Sequence, residues 1–126
     1  MSKYLMGIDN GCSMIKYIIF DLSGNEIYVA RRRLPLIIPQ PGMTERNADD
    51  VWNANIEAIS ETINKSGIFP EDILAIDLTG YGNGVCFIDK DGKPTENSIV
   101  STDSSTSNYL TKWGKNGVEQ KVYNLT

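Results

Sequence analysis

The sequence predicts an α/β domain in which a mixed β-sheet packs against a helix. Short turns separate three apolar runs, at residues 4–9, 14–21 and 26–33, an arrangement typical of an antiparallel three-stranded meander. A helical pattern then leads to a further apolar run at residues 73–79. Because a strand that follows a crossover helix usually pairs parallel with the sheet, this run is expected to join the meander as a parallel strand.

The first three strands are defined by their apolar side chains and by the turns between them. The run from Ile18 to Phe20 is too continuous for a sheet face that is open to water. Ser23-Gly24-Asn25 predicts the turn into the third strand. Prolines at positions 35, 39 and 41 break regular structure, so residues 34–46 are predicted to form an extended crossing segment.

A single long helix is predicted after the crossing segment. Asn47 is the expected N-cap, and Asp49 and Asp50 suit the positive end of the helix dipole. Apolar residues recur at helical spacing on one face, namely Trp52, Ile56, Ile59 and Ile63. This stripe is predicted to pack on the sheet as part of the core. Gly67 and Pro70 are expected to end the helix.

The second half of the chain completes the predicted order of elements. The run at 73–79 is predicted to be a buried strand, followed by a strand at 85–88, a turn at 89–92 and a short helix around Leu110 and Trp113. The order β-β-β-α-β-β-α is that of a ribonuclease-H-like domain, the building block of the actin-like ATPases. Other α+β folds show the same order, so the order alone leaves the fold family open.

Composition limits the classes of function. The chain has 126 residues and a net charge of −4, which argues against a nucleic-acid or anionic-membrane partner. The absence of histidine excludes Ser-His-Asp and Cys-His catalysis and the usual zinc sites. The two cysteines indicate no disulfide framework, and the sequence has neither a signal-peptide pattern nor the run of roughly 20 apolar residues that spans a membrane. The cytoplasm is therefore the expected compartment.

The turn between the first two strands combines a carboxylate, a glycine, a hydroxyl group and a lysine. Gly11 lacks a Cβ, so a polyphosphate can approach the backbone there, and backbone N–H groups and Ser13 can donate to its oxygens. Lys16 would add positive charge, and Asp9 is placed to hold Mg²⁺ through water. The alternative is an ordinary β-hairpin in which Asp9 and Asn10 favour the turn geometry.

A second glycine-rich loop, Gly80-Tyr81-Gly82-Asn83-Gly84, follows the predicted parallel strand, at the sheet edge where ligands of open α/β sheets collect. Asn83 offers a donor and an acceptor to a hydroxyl-rich compound, and Tyr81 can stack on a sugar or contact it through its hydroxyl. The alternative is a flexible connector in which Tyr81 packs against a neighbour. Asp103 either caps the following helix, which the sequence favours, or accepts hydrogen bonds from substrate hydroxyls.

These motifs together resemble those of the FGGY family of carbohydrate kinases. The segment from Gly7 to Ser13 is similar to the family's Gly-Ile-Asp-x-Gly-Thr-Ser phosphate loop. The segment from Pro39 to Trp52 is similar to the Pro-Gly-x-x-Glu pattern that leads the family's first helix. Residues 20–27, 80–89 and 99–103 also align in order, so the resemblance covers essentially the whole chain. Within the family, the motifs most resemble those of L-xylulose kinases and related pentulose kinases.

The resemblance implies transfer of the γ-phosphoryl group of ATP to a hydroxyl of a sugar or polyol. A ketopentose such as L-xylulose is the expected acceptor, and ATP and Mg²⁺ are the expected cofactors. The resemblance assigns ATP and phosphate contacts to Asp9 (which also lies near the metal), Gly11, Cys12, Ser13 and Lys16. It assigns substrate contacts to Tyr81, Gly82, Asn83 and Asp103. Cys12 departs from the family's usual threonine, and a thiol is a poor hydrogen-bond donor, so Ser13 is the expected source of the hydroxyl.

Members of this family are several times longer than this chain and place the active site between two ribonuclease-H-like domains. The resemblance therefore implies that residues 1–126 form the N-terminal part of the first domain, with the catalytic base and the adenine pocket beyond Thr126. The chain alone is expected to be inactive, because phosphoryl transfer needs a closed site, and to expose apolar surface that favours self-association or a homodimer. The alternatives are a non-catalytic binding module with the same fold, or another actin-like ATPase, against which the Pro-Gly-x-x-Glu segment and the glycine-rich loop argue.

Overall fold

A four-stranded mixed sheet covered by one long helix forms the body of the protein. The computed structural model describes residues 3–125. Its elements are β1 (Tyr4–Asn10), β2 (Met14–Asp21), β3 (Glu26–Arg33), β4 (Glu45–Arg46), α1 (Ala48–Lys65), β5 (Ile73–Gly80), β6 (Ser98–Ile99), α2 (Ser107–Lys115) and α3 (Val118–Tyr123). The strand order is β3-β2-β1-β5, with β5 parallel to β1 and the other neighbours antiparallel. The predicted meander and its parallel partner are therefore confirmed.

The helix begins and ends where the sequence predicts. The side chain of Asn47 accepts hydrogen bonds from the backbone N–H groups of Asp49 (2.9 Å) and Asp50 (3.1 Å), which satisfies two of the free donors of the first turn. After Lys65 the chain leaves the helix through Gly67, whose φ of 73° is a left-handed conformation that glycine adopts at little cost. Pro70 then opens a short 3₁₀ turn that leads into β5.

The core lies between α1 and the sheet. Its buried members are Met6, Ile15, Tyr17, Ile19, Ala30, Leu34, Ala58 and Ile68. Alternate residues of β2 point into it, so the other face of the same strand, which carries Lys16, lies on the side of the sheet away from α1. The core is therefore built on one face of the sheet, and Asp9 of β1 and Lys16 of β2 lie on the opposite face.

The prediction for the apolar stripe of α1 is only half right. Ile59 and Ile63 pack against the core, but Trp52 is 66% exposed and Ile56 is 48% exposed. The sheet-facing side of the helix is centred on Ala58 and Thr62, small residues that allow close approach to the strands, and α1 packs mainly on β2 and β3. Side chains directed towards β1 and β5 consequently stay open to solvent.

Two strand predictions also differ from the structure. The run at 73–79 does form β5, but it is an exposed edge strand rather than a buried one, because α1 does not extend over it. Residues 85–88 form no continuous strand. They make isolated bridges, Val85 to Ile99 and Ile88 to Pro94. The Ile88–Pro94 bridge is held by hydrogen bonds from Asp89 N–H to the Lys93 carbonyl and from Thr95 N–H to the Phe87 carbonyl, and it extends into no longer ladder.

No helix among residues 3–125 combines the length and the apolar character that crossing a membrane requires.

An ion-pair cluster joins β3 to α1 and makes stability depend on pH. Arg32 Nη2 donates to Glu61 Oε2 at 2.7 Å, and the hydroxyl of Tyr28 donates to Glu61 Oε1 at 2.9 Å. These hydrogen bonds, first that of Arg32 and then that of Tyr28, hold the pKa of Glu61 below its ordinary value. The folded state therefore binds this proton less readily than the unfolded state. The resulting stability is present above the ordinary glutamate pKa of about 4.3 and is lost as the pH falls through the lowered pKa.

We expect Glu61→Gln to flatten the acid side of the stability profile. The free energy of unfolding of the wild type, measured with urea, should fall as the pH is lowered from 6 towards 3. The fall should be smaller in Glu61→Gln. The exposed Glu26, at the start of β3, supplies the control Glu26→Gln, which should follow the wild type. Parallel profiles for the wild type and Glu61→Gln would contradict this explanation.

Candidate active site

Two loops leave the same edge of the sheet. Because β1 and β5 are parallel, their carboxyl ends lie side by side, with Asn10 paired to Gly80. The turn that contains Cys12 and Ser13 follows β1, and the glycine-rich loop from Gly80 to Gly84 follows β5. The structure therefore brings the two sequence motifs together at the edge where open α/β sheets bind ligands.

The turn after β1 is a tight hairpin closed by Gly11. Its backbone N–H donates to the carbonyl oxygen of Met14 at 3.1 Å, and a Cβ at position 11 would lie only 2.8 Å from that oxygen. The carbonyl of Ser13 accepts from Leu34 N–H at 3.1 Å, which ties the turn to the segment after β3. The side chain of Ser13 is exposed and that of Cys12 half-buried. Gly11 is thus required by the hairpin itself, in addition to any phosphate that approaches it.

We expect Gly11→Ala to destabilise the protein by about 1–3 kcal/mol, because the added methyl group would press on the Met14 carbonyl and force the hairpin open. Urea unfolding measures this effect. Gly82→Ala is the matched control, since nothing lies within 4 Å of the position its Cβ would take. Equal losses in the two variants would show that the contact with Met14 is not the cause.

Asp9 and Lys16 form a pair on the face of the sheet opposite α1. They are cross-strand neighbours, and Lys16 Nζ lies 3.0 Å from Asp9 Oδ2. Asp9 also lies beside Thr79 of β5 and lines, together with Asp77, a cavity of about 170 Å³. Residues 3–125 contain no cluster of three metal-ligating side chains. One or two carboxylates suit Mg²⁺ that takes its other ligands from water and phosphate.

A larger cavity, of about 420 Å³, opens beside the glycine-rich loop. It is lined by Asn10, Leu34, Arg46, Ala48, Val51, Gly80, Tyr81, Gly82, Asn83, Gly84, Cys86, Phe87, Ile88, Pro94 and Ser98. Its volume lies within the roughly 300–1,000 Å³ of small-molecule sites. The predicted substrate residues Tyr81, Gly82 and Asn83 therefore share one cavity. Cys86 and Arg46 also line it, and sequence reasoning assigned neither of them to a site.

Tyr81 folds back over its own loop. A Cβ at Gly84 would lie 3.0 Å from Tyr81 Cε2 and 3.1 Å from the carbonyl oxygen of Ile99, so this glycine leaves room for the ring. Burial raises the pKa of the Tyr81 phenol, and the positive charge of Arg46 opposes part of that shift. Asn83 has a φ of 60°, a left-handed conformation that asparagine tolerates better than most residues. The structure thus bends the loop at Asn83 and packs the ring of Tyr81 beside Gly84.

Asp103 is not a helix cap, contrary to the interpretation that the sequence favours. The N-cap position of α2 is Thr106, and no side chain caps that helix. Asp103 Oδ2 instead accepts from Thr44 N–H at 2.8 Å, and Oδ1 accepts from Ser105 N–H at 3.0 Å. Hydrogen bonds from Ser105 and Thr44 lower the pKa of this carboxyl group. Asp103 therefore ties the segment before α2 to the segment before β4, and it does not line the 420 Å³ cavity.

Arg46 is the residue of this site that the sequence least suggests. It is 1% exposed, and its three guanidinium nitrogens have no hydrogen-bond partner among the described residues. Arginine is usually exposed or paired, so its type alone predicts a surface position. The only sequence signal was its place between the Pro-Gly-x-x-Glu pattern and the N-cap Asn47.

Comparison with known proteins places both loops in a described family. Residues 4–126 match the N-terminal domain of the FGGY family of carbohydrate kinases. The chain is 40% identical, over 98% of its length, to a probable L-xylulose kinase of Haemophilus influenzae, and 33% identical, over its whole length, to an L-xylulose/3-keto-L-gulonate kinase of Escherichia coli. It also resembles the crystal structure of a gluconate kinase from Lactobacillus acidophilus, with a TM-score of 0.87 and 23% identity over 98% of the chain.

These matches confirm the fold and show how much of its relatives' length the chain spans. The structural likeness confirms the α/β fold of this chain. The chain spans 25% of the length of each of the two sequence relatives and of the gluconate kinase.

Proposed function

Because the chain belongs to the FGGY family of carbohydrate kinases, we propose that it is the N-terminal part of the first domain of an ATP-dependent kinase. The reaction transfers the γ-phosphoryl group of ATP to a hydroxyl of a sugar or polyol. One observation supports this proposal above all. The turn after β1 and the glycine-rich loop after β5 lie side by side at one edge of the sheet, and a cavity of about 420 Å³ opens beside the loop.

The turn after β1 is the proposed phosphate-binding element. Ser13 is exposed there and can donate its hydroxyl, while Gly11 keeps the backbone compact. The thiol of Cys12 is half-buried and a weak donor, so its contribution is through its backbone N–H. Lys16, now held by Asp9, would be released to phosphate when a cation takes its place on that carboxylate.

Asp9 is the proposed link to Mg²⁺. When bound, this ion neutralises the phosphate charge that builds up during transfer. Asp9 would hold it through water, which fits a site with too few carboxylates to enclose the ion. Until then Lys16 holds the Asp9 side chain in place, through the 3.0 Å contact between Nζ and Oδ2.

The glycine-rich loop is the proposed sugar-binding element. Asn83 offers both a donor and an acceptor to sugar hydroxyls, and the Tyr81 phenol, protonated at neutral pH, can do the same. Gly82 has open space where a side chain would be, so a substrate can approach its backbone. Asp103 is proposed as a more distant contact, acting through the lone pair of Oδ2 that Thr44 leaves free, since Oδ1 accepts from both the N–H and the hydroxyl of Ser105.

A ketopentose such as L-xylulose is the proposed acceptor. Support comes from the names of the two sequence relatives, both of which include L-xylulose.

The proposed site is half of a cleft, since phosphoryl transfer requires both reactants to be held in a closed environment. The catalytic base and the adenine pocket are proposed to lie in the three-quarters of the relatives' length that this chain does not match.

The test is a kinase assay on the product of the complete reading frame that contains these residues. ATP, Mg²⁺ and a panel of ketopentoses, ketohexoses, polyols and sugar acids are supplied, and ADP release is followed. We expect ADP release that depends on the added acceptor, with none from residues 1–126 alone. Absence of acceptor-dependent release across the whole panel would overturn the proposal.

A further inference from the structure

The only run of consecutive basic residues in the chain lies at the end of β3, as Arg31-Arg32-Arg33. Alternate residues of a strand point to opposite faces of its sheet, so the sheet divides this run. Arg32 points towards α1 and is paired there with two glutamates. Arg31 and Arg33 are exposed on the other face, which also carries the Asp9–Lys16 pair.

The strand register aligns these two arginines with the turn after β1. Arg31 lies opposite Lys16, and Arg33 lies opposite Met14, the residue that follows Ser13. The residue after Arg33 donates its N–H to the Ser13 carbonyl oxygen at 3.1 Å, which fixes the end of β3 against the turn. Directly opposed residues of neighbouring strands lie about 5 Å apart. Lys16, Arg31 and Arg33 therefore form one cationic strip that begins at the turn.

The protein does not balance the charge of this cationic strip. Among residues 3–125, Asp9 is the only carboxylate in an ion pair with any of its members, and it pairs with Lys16. The guanidinium groups of Arg31 and Arg33 have neither an ion pair nor a hydrogen bond with a described residue. This local excess of positive charge stands out in a chain whose net charge is −4.

The arrangement also costs stability. Like charges that lie directly opposite each other in a sheet repel, so the Lys16–Arg31 neighbours destabilise the pairing of β2 with β3. Exposed positions such as Arg31 accept many neutral side chains without loss, and the fold itself does not require a cation there. A local cost without a structural gain is typical of a functional site, and a concentration of cations attracts anions.

The length of the strip favours a polyphosphate over a single phosphate group. Arg31 and Arg33 are two residues apart on one strand, so their Cα atoms are about 7 Å apart, and the turn lies beside Arg33. The planar guanidinium can donate to two phosphate oxygens at once. A chain of phosphoryl groups can therefore contact the turn and the strip together, whereas one phosphate at the turn leaves part of the strip unpaired.

We propose that Arg31 and Arg33 extend the phosphate-binding turn into a strip that binds successive phosphoryl groups of a polyphosphate. This inference rests on the proposed function in so far as it assigns the polyphosphate to the nucleotide of the kinase. The strip itself rests on the register, exposure and charge of β2 and β3. An inorganic polyphosphate offers the same phosphoryl groups, so the experiments use both sources.

Calorimetric titration of residues 1–126 with inorganic tripolyphosphate, in the absence of metal ions, tests the strip directly. We expect Arg31→Gln to weaken binding by about 10-fold, the scale of one lost hydrogen bond to a charged group, and the double variant with Arg33→Gln to weaken it further. Lys90→Gln removes the same charge from the exposed turn at residues 89–92 and should bind like the wild type. Urea unfolding should show that Arg31→Gln is at least as stable as the wild type.

Three results of this titration would overturn the proposal. The first is the absence of tripolyphosphate binding to the wild type. The second is an equal loss in Lys90→Gln, which would show that binding depends on net charge alone. The third is equally tight binding of citrate, a polyanion without phosphoryl groups, since the strip would then not select for phosphate.

Kinetics on the product of the complete reading frame test the assignment to the nucleotide. Arg31→Gln should raise KM for ATP by about 10-fold and leave KM for a ketopentose near the wild-type value. Arg31→Lys keeps the charge and should recover part of the loss. An unchanged KM for ATP together with weaker tripolyphosphate binding would uphold the strip and overturn its assignment to the nucleotide.

The strip and the kinase can fail separately. Tripolyphosphate binding that depends on Arg31, without phosphorylation of any acceptor, would uphold the strip and overturn the kinase. Acceptor-dependent ADP release, with both KM for ATP and tripolyphosphate binding unchanged in Arg31→Gln, would uphold the kinase and overturn the strip.

Discussion

Asp9→Asn is expected to lower acceptor-dependent ADP release in the complete protein by about 100- to 1,000-fold, the scale of losing one preorganised electrostatic contact in a closed site. The neutral amide keeps the size of the side chain but cannot balance Mg²⁺, and it no longer restrains Lys16, which lies 3.0 Å away. The effect should fall mainly on kcat, because the charge that Asp9 helps to organise develops during transfer. Initial rates with saturating ATP and Mg²⁺ measure it.

Stability measurements separate this effect from misfolding. The Asp9–Lys16 pair is partly exposed, and such pairs contribute about 1 kcal/mol or less, so Asp9→Asn should unfold in urea close to the wild type. Glu26→Gln removes a carboxylate at the far end of the sheet and should leave the rate unchanged. If Asp9→Asn kept full activity, Asp9 would have no role in binding Mg²⁺ or phosphate, and the prediction would be wrong.

Ile19→Ala is expected to destabilise the domain by about 2–5 kcal/mol. Ile19 is 0% exposed on β2, in the centre of the core beneath α1, so truncation leaves a cavity that packed neighbours fill only in part. This loss is a large share of the about 5–15 kcal/mol that separates folded from unfolded domains. Urea unfolding followed by circular dichroism measures it.

The control for this truncation is Ile27→Ala on the neighbouring strand. Ile27 is 45% exposed, so the same chemical change should cost less than about 1 kcal/mol. If both variants lost the same stability, the effect would come from strand propensity and not from the core. The chain exposes many apolar side chains, so the wild type and both variants should be unfolded at low protein concentration, where self-association does not add to their stability.

Exposed apolar side chains gather on the α1 side of β5. Leu74, Ile76 and Leu78 alternate along this edge strand, and Leu78 shares an open cavity of about 320 Å³ with Trp52. The two sequence relatives named above match nearly the whole of this chain and are about four times its length. This is the surface through which residues 1–126 are predicted to self-associate.

The strands of the main sheet and the long helix were determined by the sequence. They were predicted with nearly the observed bounds because alternation, helical spacing and capping are local properties that short segments carry by themselves, whereas β4, β6 and α3 were not predicted. Asn47 as N-cap is one case, and the hairpin at Gly11 is another. The parallel pairing of β5 also followed from local pattern, since a crossover helix leaves few alternatives.

Only the tertiary structure decided which apolar residues are covered and which polar residues are buried. The helical stripe fixed a face of α1 but not its rotation over the sheet, so Trp52 and Ile56 were assigned to the core although the close contact belongs to Ala58 and Thr62. Asp103 carried the signature of a cap, yet besides the nearby Ser105 it binds Thr44, which lies 59 positions away in the sequence. Arg46 is buried because the β4–β6 ladder and the cavity wall enclose it. Burial of this kind depends on contacts between distant segments, and no local pattern in a single sequence encodes them.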